Sequence, residues 1–212
     1  MKLTVHEFLT LDGVMQGPGG ADEDPSNGFT RGGWLVPHAD AGMGEVVDSW
    51  FARAGAVLLG RSTFVMMRDF WTLVTDPEDT VARALNTLPK YVVSSTVEDP
   101  AWSPTTVLRG DPVAAVRALK EQPGGELQVH GSAELAATLH RAGLVDEYRL
   151  LVFPVTVGAG KRLFTEDAPA SGFTLLESRT TSTGAVYSAL APAPFRAGEI
   201  VVEDGREVTT TR

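Results

Sequence analysis

The 212-residue chain contains no cysteine. Disulfides, thiolate nucleophiles and Cys-ligated zinc are therefore excluded. No apolar run approaches the roughly 20 residues of a membrane-spanning helix. The opening Met1-Lys2-Leu3-Thr4-Val5-His6-Glu7-Phe8 puts a histidine and a glutamate where a secretory signal needs an unbroken apolar core. A soluble cytoplasmic protein is the expectation. Positive charge is scarce too: 18 Lys and Arg stand against 27 Asp and Glu, a formal charge of -9. That balance argues against a nucleic-acid or anionic-membrane partner, yet leaves room for a few local cations to hold one phosphorylated small molecule. The four histidines, His6, His38, His130 and His140, form no helical pair, so no metal site is expected. Repeats, heptads and low-complexity linkers are also missing. One domain over residues 1–191 is expected, with 192–212 as a tail.

What is present is organised around Ala56-Val57-Leu58-Leu59-Gly60-Arg61-Ser62-Thr63-Phe64. Four apolar residues between Gly55 and Gly60 read as a strand buried on both faces of a sheet. The chain then turns, exposes Arg61, and offers Ser62 and Thr63 as caps for a following helix. A strand running into a helix N-terminus presents free N–H groups, and a guanidinium beside them makes a place for a phosphate. The alternative is a surface arginine after a strand.

Before this stretch, Leu3 to Leu9 reads as a first strand, followed by a long Gly-, Pro- and Asp-rich loop ending at Trp34-Leu35-Val36-Pro37. A loop of that length is functional or disordered. Met43, Val46, Val47, Trp50, Phe51 and Ala54 then fall on one stripe of an α-helix, with Trp50 read as core. After it come a short helix over Phe64–Phe70, a helix capped at Asp76-Pro77 and running to about Leu88, and a strand over Tyr91–Ser94. Thr105–Leu108, an Asp111-Pro112 cap with its helix, a strand at Leu127–Val129 and a helix ending near Gly143 follow. Strands alone close the domain: Tyr148–Val155, then Phe173–Arg179 and Ala185–Leu190 paired about Ser182-Thr183-Gly184. The pattern predicts an α/β, three-layer mixed sheet with a parallel centre and a C-terminal antiparallel hairpin. The tail reads as a ribbon, Ile200-Val201-Val202 turning at Asp204-Gly205, or as partly disordered.

Ligands in open α/β sheets sit at the C-terminal strand ends. Gly60–Thr63, Ser94-Ser95-Thr96 and Gly131-Ser132-Ala133 are three such ends carrying small residues, hydroxyls or a cation. Each alone reads equally as a plain turn; together they favour an extended, phosphate-bearing ligand. Common signatures are missing. Gly158-Ala159-Gly160 lacks a third glycine, Lys161 is followed by Arg162, and no Gly-x-Ser-x-Gly occurs. His130 is read as a packed or rim residue. Asp12 and Asp40 are the isolated carboxylates that could polarise a substrate, Asp40 being also a good N-cap for a helix starting at Ala41.

Four segments together resemble the dihydrofolate-reductase-like fold, in the group sharing the C-terminal reductase domain of riboflavin biosynthesis. They are Thr10-Leu11-Asp12-Gly13-Val14, Gly60-Arg61-Ser62-Thr63-Phe64, Val129–Leu135 running into Ala142–Glu147, and Pro154–Phe164. The resemblance implies an NADPH-dependent reductase of a small heterocyclic or carbonyl compound, and a homodimer. It implies cofactor contacts from Val14, Gly60, Arg61, Ser62, Thr63, Ser94, Ser95, Gly131, Ser132, Ala133 and Glu134. Arg61 and Thr63 would meet the 2′-phosphate, and Gly131 and Ser132 the pyrophosphate. Asp12 and Trp34 would face the substrate. Asp40 lies one residue later after Trp34-Leu35-Val36-Pro37 than the dihydrofolate reductase carboxylate, and Val129 stands where riboflavin reductases carry Glu. Reduction of dihydrofolate or of 5-amino-6-(5-phosphoribosylamino)uracil is therefore kept as an alternative, and a non-catalytic NADP-binding regulatory module as a rival of another class.

Overall fold

The computed structural model describes residues 1–211. Among these residues ten strands and five α-helices alternate along most of the length. They are β1 (Leu3–Thr10), α1 (Ala41–Phe51), β2 (Ala54–Gly60), α2 (Arg61–Trp71), α3 (Thr80–Thr87), β3 (Lys90–Val93), β4 (Thr105–Leu108) and α4 (Pro112–Lys120). Then come β5 (Glu126–His130), α5 (Ala133–Arg141), β6 (Glu147–Phe153), β7 (Gly172–Thr180), β8 (Val186–Ala193), β9 (Gly198–Glu203) and β10 (Arg206–Thr211). Eight strands form one sheet in the order β4-β3-β2-β5-β1-β6-β8-β7. The first six of that order are mutually parallel, and β8 and β7 close the sheet antiparallel.

The period-2 alternation of the strands builds the core. Tyr91, Leu58, Val129, Val5, Tyr148 and Leu190 stand opposite one another across six strands, a continuous row. That row packs with Val116 and Leu119 of α4 and Leu135, Ala136 and Leu139 of α5. On the other face Val57, Leu59 and Val92 meet Phe64 of α2 and Leu85 of α3, while Trp50 and Val46 of α1 pack with Leu151, Phe153 and Tyr187. Each fully buried Leu, Val or Phe stabilises the fold by roughly 1.5–3 kcal/mol, so the two helical layers are held mainly by these contacts.

The edge where the parallel strands begin is closed by charge. Arg149, 1 % exposed, grips both carboxylate oxygens of Glu126 at 2.6 and 2.7 Å and Glu147 at 2.5 Å; Lys2 reaches Glu147 at 2.5 Å. Burial alone would push the Glu147 carboxyl up, but Lys2 and Arg149 outweigh it and hold it below its ordinary value.

Several expected boundaries shift. Ser62 and Thr63 do not cap α2: Gly60 is its N-cap, and both residues lie in the first turn. Ala54 ends no helix but begins β2. α3 starts behind Asp79, which accepts from the Ala82 N–H, whereas Asp76 accepts from the Glu78 N–H to close a separate turn. β8 runs on to Ala193, past the expected strand end at Leu190. The tail is an antiparallel ribbon of β9 and β10, turning at Asp204 and Gly205, both with positive φ; Arg212 lies outside the described residues. No helix among the described residues is long and apolar enough to cross a membrane.

Candidate functional site

The C-terminal ends of β1, β2, β3 and β5 open into a cleft of about 1670 Å³. Its rim is made by the three strand ends singled out in the sequence. Gly60, Arg61, Ser62, Thr63, Ser94, Ser95, Gly131, Ser132, Ala133 and Glu134 all line it. Its walls are largely apolar: Phe8, Met43, Val47, Trp50 and Phe51 on one side, Met66, Met67 and Phe70 of α2 on another.

Helix capping distinguishes the glycine-bearing strand ends of this rim. α1, α3 and α4 are each capped by an aspartate, Asp40, Asp79 and Asp111, accepting from a first-turn N–H. Of the helices whose first turns reach the cleft, α2 and α5 have no side-chain cap, whereas α1 and α4, which meet it through Met43 and Pro112, keep theirs. For α5 the reason is specific. Ser132 occupies the N-cap position, but its Oγ accepts the Gly60 N–H at 2.8 Å, so the hydroxyl joins two strand ends instead of closing its own helix. Gly131 precedes it with φ +65, and a Cβ there would stand 3.1 Å from Thr63 Cγ2. Only glycine combines that left-handed conformation with so close a neighbour. First-turn N–H groups of both helices are thereby turned toward one space, a favourable setting for an anion. Arg61 is exposed beside them and makes no hydrogen bond or ion pair among the described residues.

At the third tip, Ser94 Oγ accepts the N–H groups of Thr96 and Val97 at 3.1 and 3.0 Å, fixing the turn. Arg109 donates to the carbonyls of Ser95 and Val97, both at 2.8 Å, and braces the same turn from outside.

The remaining sequence candidates lie apart from the cleft wall. Asp12 accepts from Thr10 Oγ1 at 2.6 Å and from the Gly158 and Val157 N–H groups at 2.7 and 3.3 Å. The Thr10 hydroxyl, with those N–H groups, holds its carboxyl below the ordinary value. Val14 is fully buried and bridges Arg162, and a Cβ on Gly160 would meet Val14 Cγ1 at 2.5 Å. Trp34 is buried, packs on Phe153 with ring centroids 5.7 Å apart, and donates Nε1–H to the Gln16 carbonyl. These contacts stitch the long first loop to the 154–164 loop, so it is an ordered cover. Asp40 caps α1 and accepts from Ser182 Oγ and the Thr183 N–H at 2.6 and 2.9 Å, tying α1 to the β7–β8 turn. The Ser182 hydroxyl and the Met43 N–H hold its carboxyl well below the usual carboxylate range.

Three cleft residues carry more than the sequence reading gave them. His6 and His130 stack at 4.8 Å, and His130 stacks on Phe51 at 4.8 Å. Burial depresses His130 to about 3 and takes His6 well below its ordinary value, the positive charges of Arg149 and Arg53 acting in the same direction on His6. Glu7, 4 % exposed, also lines the cleft. Its signal was present: Leu3, Val5 and Leu9 keep one phase of β1, and Glu7 interrupts that apolar register. Among the described residues no three His, Asp or Glu side chains gather where a metal ion could sit.

The profile of the RibD C-terminal domain matches residues 1–187. The chain belongs to this family. The match spans every strand of the parallel part of the sheet and all four segments of the rim and its covering loops. Among curated relatives, the RibD-domain chain is 27% identical to YyaP of Bacillus subtilis (strain 168) over 180 residues, 84% of this chain and 88% of that protein. Among solved structures, a putative riboflavin biosynthesis protein from Shewanella sp. PV-4 aligns with a TM-score of 0.64 at 20% identity, over 91% of this chain and 99% of that one. Dihydrofolate reductase from Enterococcus faecalis, solved in complex with NADP(H), aligns with a TM-score of 0.58 at 13% identity, over 90% and 96%. These structural likenesses are of fold: the RibD-type domain and dihydrofolate reductase share one architecture.

Proposed function

We propose that this RibD-family chain is an NADPH-dependent reductase of a small heterocyclic or carbonyl compound. The observation that carries the reading is the lack of side-chain caps on α2 and α5, which follow directly on the strand ends at Gly60 and Gly131, beside an Arg61 with no partner among the described residues. The cradle fits a dinucleotide. Arg61 and Thr63 would hold the 2′-phosphate, Ser94 and Ser95 would flank the adenosine, and the Gly131–Glu134 backbone would take the pyrophosphate. The fold neighbour solved with NADP(H) and the match to the RibD C-terminal domain support the same assignment.

When bound, the reduced nicotinamide supplies a hydride. The protein's own work is then placement and exclusion of water. Phe8, Trp50 and Phe51 form an apolar wall suited to a flat acceptor. His6 and His130, held neutral by burial, add polar edges without charge. Asp12 and Asp40 have their carboxylates engaged in loop and cap hydrogen bonds, and we assign them structural support of the cover and of α1.

Titration of the purified chain with NADPH, followed by nicotinamide fluorescence and melting temperature, tests the reading. Saturable binding is expected, with NADPH oxidation when pterins, pyrimidines and quinones are screened. No signal at millimolar NADPH would sink it; binding without turnover across the panel would favour the regulatory module.

A further inference from the structure

Glu7 is a cleft residue with unfinished hydrogen bonding. It is 4 % exposed, and its Oε1 is buried with no hydrogen-bond partner. The Gly131 N–H is set against the carboxyl, and no side chain among the described residues bonds it. Buried polar atoms are nearly always paired, and leaving one orphaned costs the fold stability. An orphan in a ligand cleft is a group waiting for a ligand atom.

Strand order says which part of a ligand would meet it. Along the rim the strands run β3, β2, β5, β1. A dinucleotide whose adenosine lies by Ser94, whose 2′-phosphate lies by Arg61 and whose pyrophosphate lies by Gly131 must put its nicotinamide half against β1. Resting on the NADPH reading above, we propose that Glu7 is a binding residue that hydrogen-bonds the carboxamide of the nicotinamide half. A carboxylic acid and a primary amide each offer one donor and one acceptor side by side, so they pair reciprocally. Burial raises the Glu7 carboxyl well above its ordinary value, against a smaller opposing pull from the Gly131 N–H. The protonated form has the donor this pairing needs, and it avoids setting a negative charge beside a pyrophosphate.

The test compares the full chain with Glu7→Leu and Glu7→Gln, using NADPH and 2′,5′-ADP, which has the adenosine half and no nicotinamide. Glu7→Leu is expected to weaken NADPH about tenfold or more, the loss of the two hydrogen bonds of that pair, and to leave 2′,5′-ADP within about twofold. Its ligand-free melting temperature should equal or exceed the parent's, since an unpaired carboxyl has been removed. Glu7→Gln keeps a donor and an acceptor at the same reach and should hold NADPH within about threefold. The 3-acetylpyridine analogue of NADP+, which lacks the amide N–H, should bind the parent more weakly than NADP+ and bind Glu7→Leu equally well. The inference is overturned if Glu7→Leu weakens both ligands alike, weakens neither, or still tells the analogue from NADP+. A Gln variant as impaired as Leu overturns it too. Failure of the parent to bind either NADPH or 2′,5′-ADP would instead bring down the cofactor reading itself.

Discussion

Removing the Arg61 guanidinium separates the phosphate-rim reading from its rivals. Arg61 is exposed and has no partner among the described residues, so Arg61→Ala should leave ligand-free stability within about 0.5 kcal/mol of the parent. The 2′-phosphate of NADPH carries a charge of about -1.5 to -2. At roughly 4 Å in a water-like dielectric, each unit charge pair is worth about 1 kcal/mol, and the charge-assisted hydrogen bonds bring the total to about 1.5–3 kcal/mol. That predicts a 10- to 100-fold rise in the Kd for NADPH, at roughly tenfold per 1.4 kcal/mol. NADH lacks the phosphate and should lose less than about threefold. The difference should narrow when ionic strength is raised from about 0.05 to 0.5 M, because an exposed pair is screened. Fluorescence titrations of both nucleotides at two salt concentrations read all of this. Equal losses for NADPH and NADH would refute the assignment of the 2′-phosphate to Arg61. No loss for either would place the dinucleotide elsewhere.

Further predictions follow from the buried titratable groups and the exposed sheet edge. Burial depresses His130 to about 3 and His6 well below its ordinary value, so the folded chain stays unprotonated there while the unfolded chain takes protons below about pH 6.5. Their contribution is complete above that pH and is lost as pH falls toward 3, by up to about 1.4 kcal/mol per pH unit for each histidine. Urea midpoints should drop between pH 7.5 and 5 and drop less in His130→Gln; a flat parent profile would contradict the burial argument. Glu7 has the opposite sign: its raised carboxyl contributes stability at low pH that is lost as pH rises through its folded value. A homodimer is expected to cover edge strand β7, where Leu175 and Leu176 are 58 % and 55 % exposed. Light scattering should give twice the 22.6 kDa chain mass, reverting toward one chain in Leu176→Lys; a parent mass of one chain would rule the dimer out.

Much of this architecture is legible in the sequence because local signals and tertiary demands agree. Ala56–Leu59 reads as a doubly buried strand and lies at the centre of the parallel region. Asp40 and Asp111 read as N-caps and are. Asp76-Pro77-Glu78 misleads because an Asp-Pro pair also suits a turn, and α3 begins only where the apolar phase of Ala82 and Leu85 starts. Ser62 and Thr63 look like caps by composition, yet α2 starts at Arg61, directly from the strand, with Gly60 as its N-cap. The rim glycines and hydroxyls could be placed on strand ends, but their meeting depends on strand order, which single-chain patterning does not encode. Glu7 is the clearest case. Its charge breaks an apolar register in plain view, but its lack of a partner is visible only once β5 and Gly131 stand beside it.

The charged clamp of Lys2, Glu147, Arg149 and Glu126 has a consequence for how this domain can change. Because the strands are parallel, their first residues share one margin of the sheet and their last residues the opposite margin. β1 has eight residues, so the two margins are about 25 Å apart. Substitutions that far apart with no common neighbours act additively. A lineage, or a laboratory selection, can therefore rewrite the reacting end for new acceptors while the anchoring end goes on securing the fold unaltered.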